Sequence, residues 1–152
     1  MQPRINNPAA VIPEAFPAIQ AFQAVIAKGD LPAKTLSLVH HRTSQINGCA
    51  VCLYGGERLA KKAGESDERL ATVAAWRDAP FFSDAERAAL ALAECVTRLS
   101  DRADPVPDDV WNEAARHYSE TQLTALLLHI ALTNVYNRLN VATRQVAGVW
   151  KP

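Results

Sequence analysis

Cys49 and Cys52 are the residues of this chain best suited to chemistry, because only Ala50 and Val51 separate them. Side chains three positions apart share a face of a helix. Cysteines so placed can reach disulfide geometry. Gly48 closes the preceding helical pattern, so the pair falls in the first turn of the next helix. There the free backbone N–H groups and the helix dipole favour negative charge. Such a setting lowers a thiol pKa, and the thiolate is the form that attacks peroxides and disulfides. Spacing and position together point to thiol redox chemistry. Two plainer readings stand beside it. Free cysteines also pack as small buried hydrophobes. A structural zinc site wants four ligands; only His40 and His41 lie nearby in sequence and there is no second C-x-x-C. We expect no metal and no cofactor.

The elements that must position the pair are helical. Alternating runs of Val, Ile and Thr are almost absent, and Ala, Leu, Glu and Arg dominate, a composition that favours helices. Pro13 opens a first helix ending near Gly29, and Pro32 a second, closed by Asn47-Gly48. A third runs from the cysteines to Gly64. Ser66 caps a short fourth helix carrying Trp76. Ser83 with Glu86 has capping-box spacing and starts a fifth, through Leu99. Asp104-Pro105-Val106-Pro107 is an extended link. A sixth helix carries Trp111 and Tyr118, and the capping box of Ser119 with Gln122 starts a long last one. On that helix Leu123, Leu126, Leu127, Ile130, Ala131 and Asn134 form a core face, with Leu128, Leu132 and Val135 as a second apolar stripe. A helix apolar on two sides must be covered twice, by its own chain or by a second subunit. The expected architecture is an all-α bundle of six to seven helices in a single domain, 1–152.

The bulk composition excludes some partners. Sixteen basic residues balance sixteen acidic ones, so charge gives no reason to expect nucleic acid or an anionic membrane. It permits self-association. Three cysteines are too few for a disulfide-stapled secreted scaffold. The N-terminal stretch lacks the pattern of a signal peptide, and the apolar run from Leu126 to Leu132 is too short to span a bilayer. We expect a cytoplasmic protein.

The stretch Arg42-Thr43-Ser44-Gln45-Ile46-Asn47-Gly48-Cys49-Ala50-Val51-Cys52 resembles the core motif of the AhpD-like (carboxymuconolactone decarboxylase) superfamily. Ala63-Gly64-Glu65, Ala74-Ala75-Trp76-Arg77, Phe81-Phe82-Ser83, Glu86 to Leu92 and Asn134 to Leu139 continue the resemblance in order. It covers most of the chain, and the run from Ser44 to Cys52 is quite specific. The resemblance implies an AhpD-like helical bundle that forms a homo-oligomer, whether dimer, trimer or hexamer. It implies a pair cycling between dithiol and disulfide, with Cys52 attacking peroxide and Cys49 resolving. The dipole argument alone favours Cys49, which lies nearer the helix start.

The chain also departs from the peroxidase pattern. That pattern has a glutamate twelve residues before the first cysteine, a histidine just before the second and another four residues after it. Here Ser37, Val51 and Gly56 stand at those places. General acid–base help of this kind is typically worth ~10²–10⁴ in rate. His41 shares a helix face with Ser37 and Ser44, so it is the candidate replacement. Gly55-Gly56 costs helix stability but opens space beside Cys52, and Tyr54 could offer a hydroxyl there; Ser37, Tyr54 and Gly56 are the candidate substrate pocket. His40 and His129 read as core histidines, and Cys95 as a buried, inert thiol. Trp76, Phe81, Phe82 and Trp111 read as packing aromatics. Asn134, Asn137 and Arg138 should bond loop carbonyls or a neighbouring subunit. Glu57, Arg58, Lys61 and Lys62 read as a solvated face.

Three functions follow for testing. The first is a thiol–disulfide redox protein that reduces a hydroperoxide or a disulfide substrate and is recharged by a protein or small-thiol reductant. The second is a carboxymuconolactone decarboxylase-like enzyme acting on a small organic acid. The third is a catalytically weakened oligomeric binding protein.

Overall fold

A computed structural model describes residues 2–101 and 103–149, and its regular elements are all helical. They are α1 (Pro8–Val11), α2 (Ala15–Ala27), α3 (Ala33–Ile46), α4 (Ala50–Lys62), α5 (Asp67–Thr72), α6 (Asp84–Thr97), α7 (Asp108–His117) and α8 (Glu120–Ala142). Short 3₁₀ turns cover Val73–Ala75 and Leu99–Asp101. The expected helices are present, and α1 is the addition to the expected six or seven. It is four residues long, with Pro8 in its first turn and the Asn7 side chain accepting from Ala9 N–H. A segment that short carries almost no hydrophobic period to read. No helix among the described residues is long and apolar enough to cross a membrane.

The caps fall where the side chains dictate. Ser83–Glu86 and Ser119–Gln122 are complete capping boxes, and Ser66 accepts from Arg69 N–H. Trp76 lies just beyond the 3₁₀ turn that follows α5, not on the helix itself.

α3 is the central element, packed against α4, α6 and α8. It feeds two cores from adjacent positions. Val39 joins Ala88, Ala89, Leu92, Ala93, Leu126 and Ile130 between α3, α6 and α8. Leu38 joins Val73, Trp76, Ala79, Phe82 and Leu90 on the other side. The alanines of α6 let helix backbones approach closely, so packing is set by small side chains here. Of the four expected packing aromatics, Trp76 and Phe82 are buried, whereas Phe81 and Trp111 are 45% and 38% exposed. Phe81 and Phe82 are consecutive and point different ways; only one can enter the core. Trp111 lies on α7, whose core contacts are made by Val110 and Ala114. Cys95 is buried in α6. Glu57 and Lys61 pair on an exposed face, and Lys61 also reaches Asp67.

One buried carboxylate joins three segments. Glu94 of α6 accepts from Arg42 Nε of α3 at 2.7 Å, Trp76 Nε1 at 3.0 Å and Arg77 at 2.8 Å. The Arg77 guanidinium also lies over the Trp76 ring, 4.1 Å from its centroid. Burial alone would push the Glu94 carboxyl up; the bonds from Trp76, Arg77 and Arg42 outweigh it and hold the group below the usual range. Removing one partner of such a set strands the others. Glu94→Ala should lower the unfolding free energy by about 3–5 kcal/mol, measurable by urea denaturation.

Candidate functional site

The site is built on the turn between α3 and α4. α3 ends at Ile46, and Gly48 takes a positive φ of 64°. That backbone is cheap only for glycine. It lets Gly48 N–H bond Gln45 O and Cys49 N–H bond Ser44 O, at 3.2 and 3.0 Å. The paired bonds make a Schellman motif, which satisfies the last carbonyls of α3 and reverses the chain at once. The next residue, Cys49, is the N-cap of α4, and its Sγ accepts from Cys52 N–H at 3.3 Å.

Cys49 and Cys52 form a disulfide, with Cα atoms 5.3 Å apart. Cys49 is 1% exposed and Cys52 6%. Among the described residues each sulfur meets one donor. Cys52 N–H points at Cys49 Sγ, and the side-chain amide of Asn140 lies 3.4 Å from Cys52 Sγ. Asn140 was missing from the candidates drawn from sequence. Its only signal there is a three-residue spacing from Asn137 and a six-residue spacing from Asn134.

Those two asparagines tie α8 to the turn. Asn47 spends both amide hydrogens on them, at 3.0 Å to Asn134 Oδ1 and 2.8 Å to Asn137 Oδ1. Asn137 donates in turn to Ser44 Oγ at 3.0 Å, and Asn134 to Ile130 O at 2.9 Å. All bonds are within one chain. Asn134, Asn137 and Ser44 are buried.

The histidines divide the space behind the disulfide. His40 lies against Gly56: a Cβ built there would come within 2.7 Å of the ring. The opening anticipated beside Gly56 is thus occupied by the His40 imidazole. Its Nε2 lies 3.2 Å from Cys52 O and its Nδ1 3.4 Å from Thr133 Oγ1. A carbonyl only accepts, so Nε2 carries the hydrogen. His129 sits nearby, with ring centroids 6.3 Å apart, and bonds Leu36 O at 2.9 Å. Burial lowers both pKa values, that of His129 to about 4; the neighbouring His40 adds to the lowering there, and the Leu36 carbonyl opposes it. His41 is next along α3. Burial lowers its pKa while Glu57 of α4 opposes that, and its buried Nδ1 has no hydrogen-bond partner among the described residues.

Ser37 is half-buried on α3. Tyr54 is 48% exposed, and its ring lies beside Gly148 of the C-terminal segment. At Gly56 the space is taken by the His40 ring. A groove of about 470 Å³ lies instead at the N-terminal end of α3, lined by Lys34, Thr35, Glu86, His117 and Tyr118 among others, with no cysteine in it.

The comparisons with known proteins can now be set against this geometry. The carboxymuconolactone decarboxylase family model matches residues 13–94. The chain belongs to that family. It is 32% identical to the uncharacterized protein YdfG of Bacillus subtilis (strain 168) over 132 residues, 87% of this chain and 88% of that one. It is 37% identical to the uncharacterized protein YnjA of Escherichia coli (strain K12), over 70% of this chain and 57% of the other. Among solved structures, ATU0492 from Agrobacterium tumefaciens superposes with a TM-score of 0.89 at 29% identity, covering 98% of this chain and all of that one. It is a protein of unknown function with a suggested identity as the antioxidant defence protein AhpD. The debrominase Bmp8, solved with 2,3,4-tribromopyrrole, shares the fold at a TM-score of 0.81 and 20% identity, covering 92% of this chain and 74% of that one. The AhpD-like resemblance and the all-helical fold are therefore shown.

Two consequences can be measured. The adjacent glycines of α4 should respond oppositely to alanine. A Cβ at Gly55 meets nothing within 4 Å, so Gly55→Ala should stabilise by about 1 kcal/mol. Gly56→Ala must displace the His40 ring and should destabilise by about 1–3 kcal/mol; thermal unfolding of the two variants separates these outcomes. The second concerns pH. His129 has a folded pKa below its unfolded value, so its contribution to stability is complete above about pH 6.5. It is lost as pH falls from there toward 4, because the unfolded chain takes the proton first. His129→Gln should flatten urea-denaturation stability across that window.

Proposed function

We propose that the protein is a thiol–disulfide oxidoreductase whose Cys49–Cys52 dithiol reduces a hydroperoxide, closing the disulfide in the process. The observation that carries this reading is the closed pair itself, set at the N-terminus of α4 with Cys52 N–H on Cys49 Sγ. Membership of a family with AhpD-like relatives supports it. Cys52 is the less buried residue of the pair, and its sulfur is assigned to meet substrate. Its thiolate attacks the peroxide oxygen, giving a sulfenic acid and an alkoxide that takes up a proton. The Cys49 thiol then displaces the hydroxyl, forming the disulfide and releasing water. A dithiol protein or two small thiols return the two electrons. On this assignment Cys49, which caps the helix, is the resolving residue.

His41 is assigned the proton. Burial keeps its imidazole neutral at pH 7 and its Nδ1 is uncommitted, the form in which histidine accepts a proton. The apolar side chains left exposed on α2 and α8, among them Phe16, Phe22, Val135 and Leu139, fit a homo-oligomer with those faces covered. The decarboxylase and binding-protein readings rank below, since neither uses the cysteine pair.

The reduced protein treated with one equivalent of hydroperoxide should lose two thiols and two hydrogens per chain, located by peptide mass spectrometry at Cys49 and Cys52. Cys52→Ser should abolish peroxide consumption, and His41→Gln should slow it by about 10²-fold. Undiminished consumption by Cys52→Ser would sink the proposal.

A further inference from the structure

The missing glutamate and histidines leave open what holds a thiolate at Cys52 once its proton has gone. We propose that Asn140 is a catalytic residue of the pair, which holds the Cys52 thiolate by donating its side-chain amide to Sγ. This rests on the redox reading above and adds to it a residue and a role.

The geometry is direct: Asn140 Nδ2 lies 3.4 Å from Cys52 Sγ, across 88 residues of sequence. The contact is not left to a mobile side chain on a mobile helix. One and two turns earlier on α8, Asn137 and Asn134 are bonded to Asn47 and Ser44, the residues that end α3 just before Cys49. Those bonds fix the rotation and the height of α8 against the turn that carries the cysteines. They involve neither sulfur, so they persist when the disulfide opens. Asn140 is therefore already aimed when Cys52 becomes a thiol.

The chemistry follows from charge. A thiol accepts a hydrogen bond weakly, and a thiolate accepts one strongly. A fixed amide donor thus favours the ionised form, and the thiol proton that His41 accepts is passed on to solvent. No other side-chain donor to Cys52 Sγ is seen among the described residues. Of the titratable groups on the elements packed here, His40 of α3 touches Cys52, His129 of α8 lies beside His40, and His41 of α3 faces Glu57 of α4. Burial holds all three imidazoles neutral near pH 7, so none offers a positive charge to the thiolate. A neutral donor has to serve instead. It stabilises the product of deprotonation, where the usual carboxylate would remove the proton.

The test reads the thiolate itself. In the full chain carrying Cys49→Ser, a substitution that leaves a good helix N-cap, the pH titration of thiolate absorbance near 240 nm gives the Cys52 midpoint. Cys95 is present in every protein compared and cancels. Asn140→Leu should raise the midpoint by about one pH unit. Asn140→Asp should raise it further, because a carboxylate cannot donate and adds a like charge; a packing role would not give that order. With both cysteines present, Asn140→Leu should also make the disulfide harder to reduce at equilibrium with a reference dithiol. A midpoint unchanged in either variant overturns the assignment. If Asn140→Leu does not fold, Asn140→Ala takes its place in the comparison with Asn140→Asp. No peroxide enters these measurements, so a shifted midpoint in a chain inert to peroxide would reject the peroxidase reading and keep Asn140. Peroxide turnover with an unshifted midpoint would do the reverse.

Discussion

The bond set between Asn47 and the α8 asparagines is the constraint on which the site depends. Two amide hydrogens leave Asn47, and each meets a different side chain one turn apart on α8. Neither leucine nor aspartate could do this. The first has no donor, and the second offers only acceptors to two acceptors. Buried polar groups left without partners cost roughly 1–3 kcal/mol each, so the network tolerates little sliding of α8 along α3. That intolerance fixes the place of Gly48, and Gly48 fixes Cys49 as the cap of α4. A polar lock in an otherwise apolar interface thus fixes a register that leucine packing alone would leave looser.

The same interface explains the glycine pair. The helix that holds the cysteines must pass close to α3, and α3 presents His40 at the crossing. Gly56 is the position where the ring enters. The ring then bonds the Cys52 carbonyl, which α4 itself satisfies only through a residue four positions on. Gly56 occupies the family's histidine position, and an imidazole fills the space from the opposite helix. That imidazole, from His40 of α3, makes a backbone contact to Cys52 O. Buried and neutral, His40 supports the turn of helix behind the sulfur.

Much of this was legible in the sequence. Caps and breakers announced most helix boundaries, because Ser-x-x-Glu, Ser-x-x-Gln and Asn-Gly act through local hydrogen bonds that need no tertiary partner. The cysteine pair was legible for the same reason: three residues and a glycine define it. Tertiary choices were not. Sequence periodicity does not say which of Phe81 and Phe82 turns inward, nor that the gap at Gly56 is closed by a residue sixteen positions earlier. Asn140 was invisible because its partner is 88 residues away and asparagine near the end of a helix is unremarkable by itself. His41 was singled out on its spacing from Ser37, whereas its neighbour His40 makes the contact to Cys52.

The burial of both sulfurs sets the remaining constraint on how the pair can work. At 1% exposure Cys49 is closed to any bulky substrate, while Cys52 at 6% presents only a small part of its surface. A thiol so enclosed is reached less readily by a second oxidant, because oxidation follows exposure. It loses solvation of the thiolate. The N-terminus of α4 and the Asn140 amide act against that loss, one through the helix dipole and one through a directed bond. Exposure would have solved the charge problem and sacrificed the protection. In this fold the donors come from the backbone and from a neutral side chain, so the thiols stay enclosed without a buried ion being needed beside them.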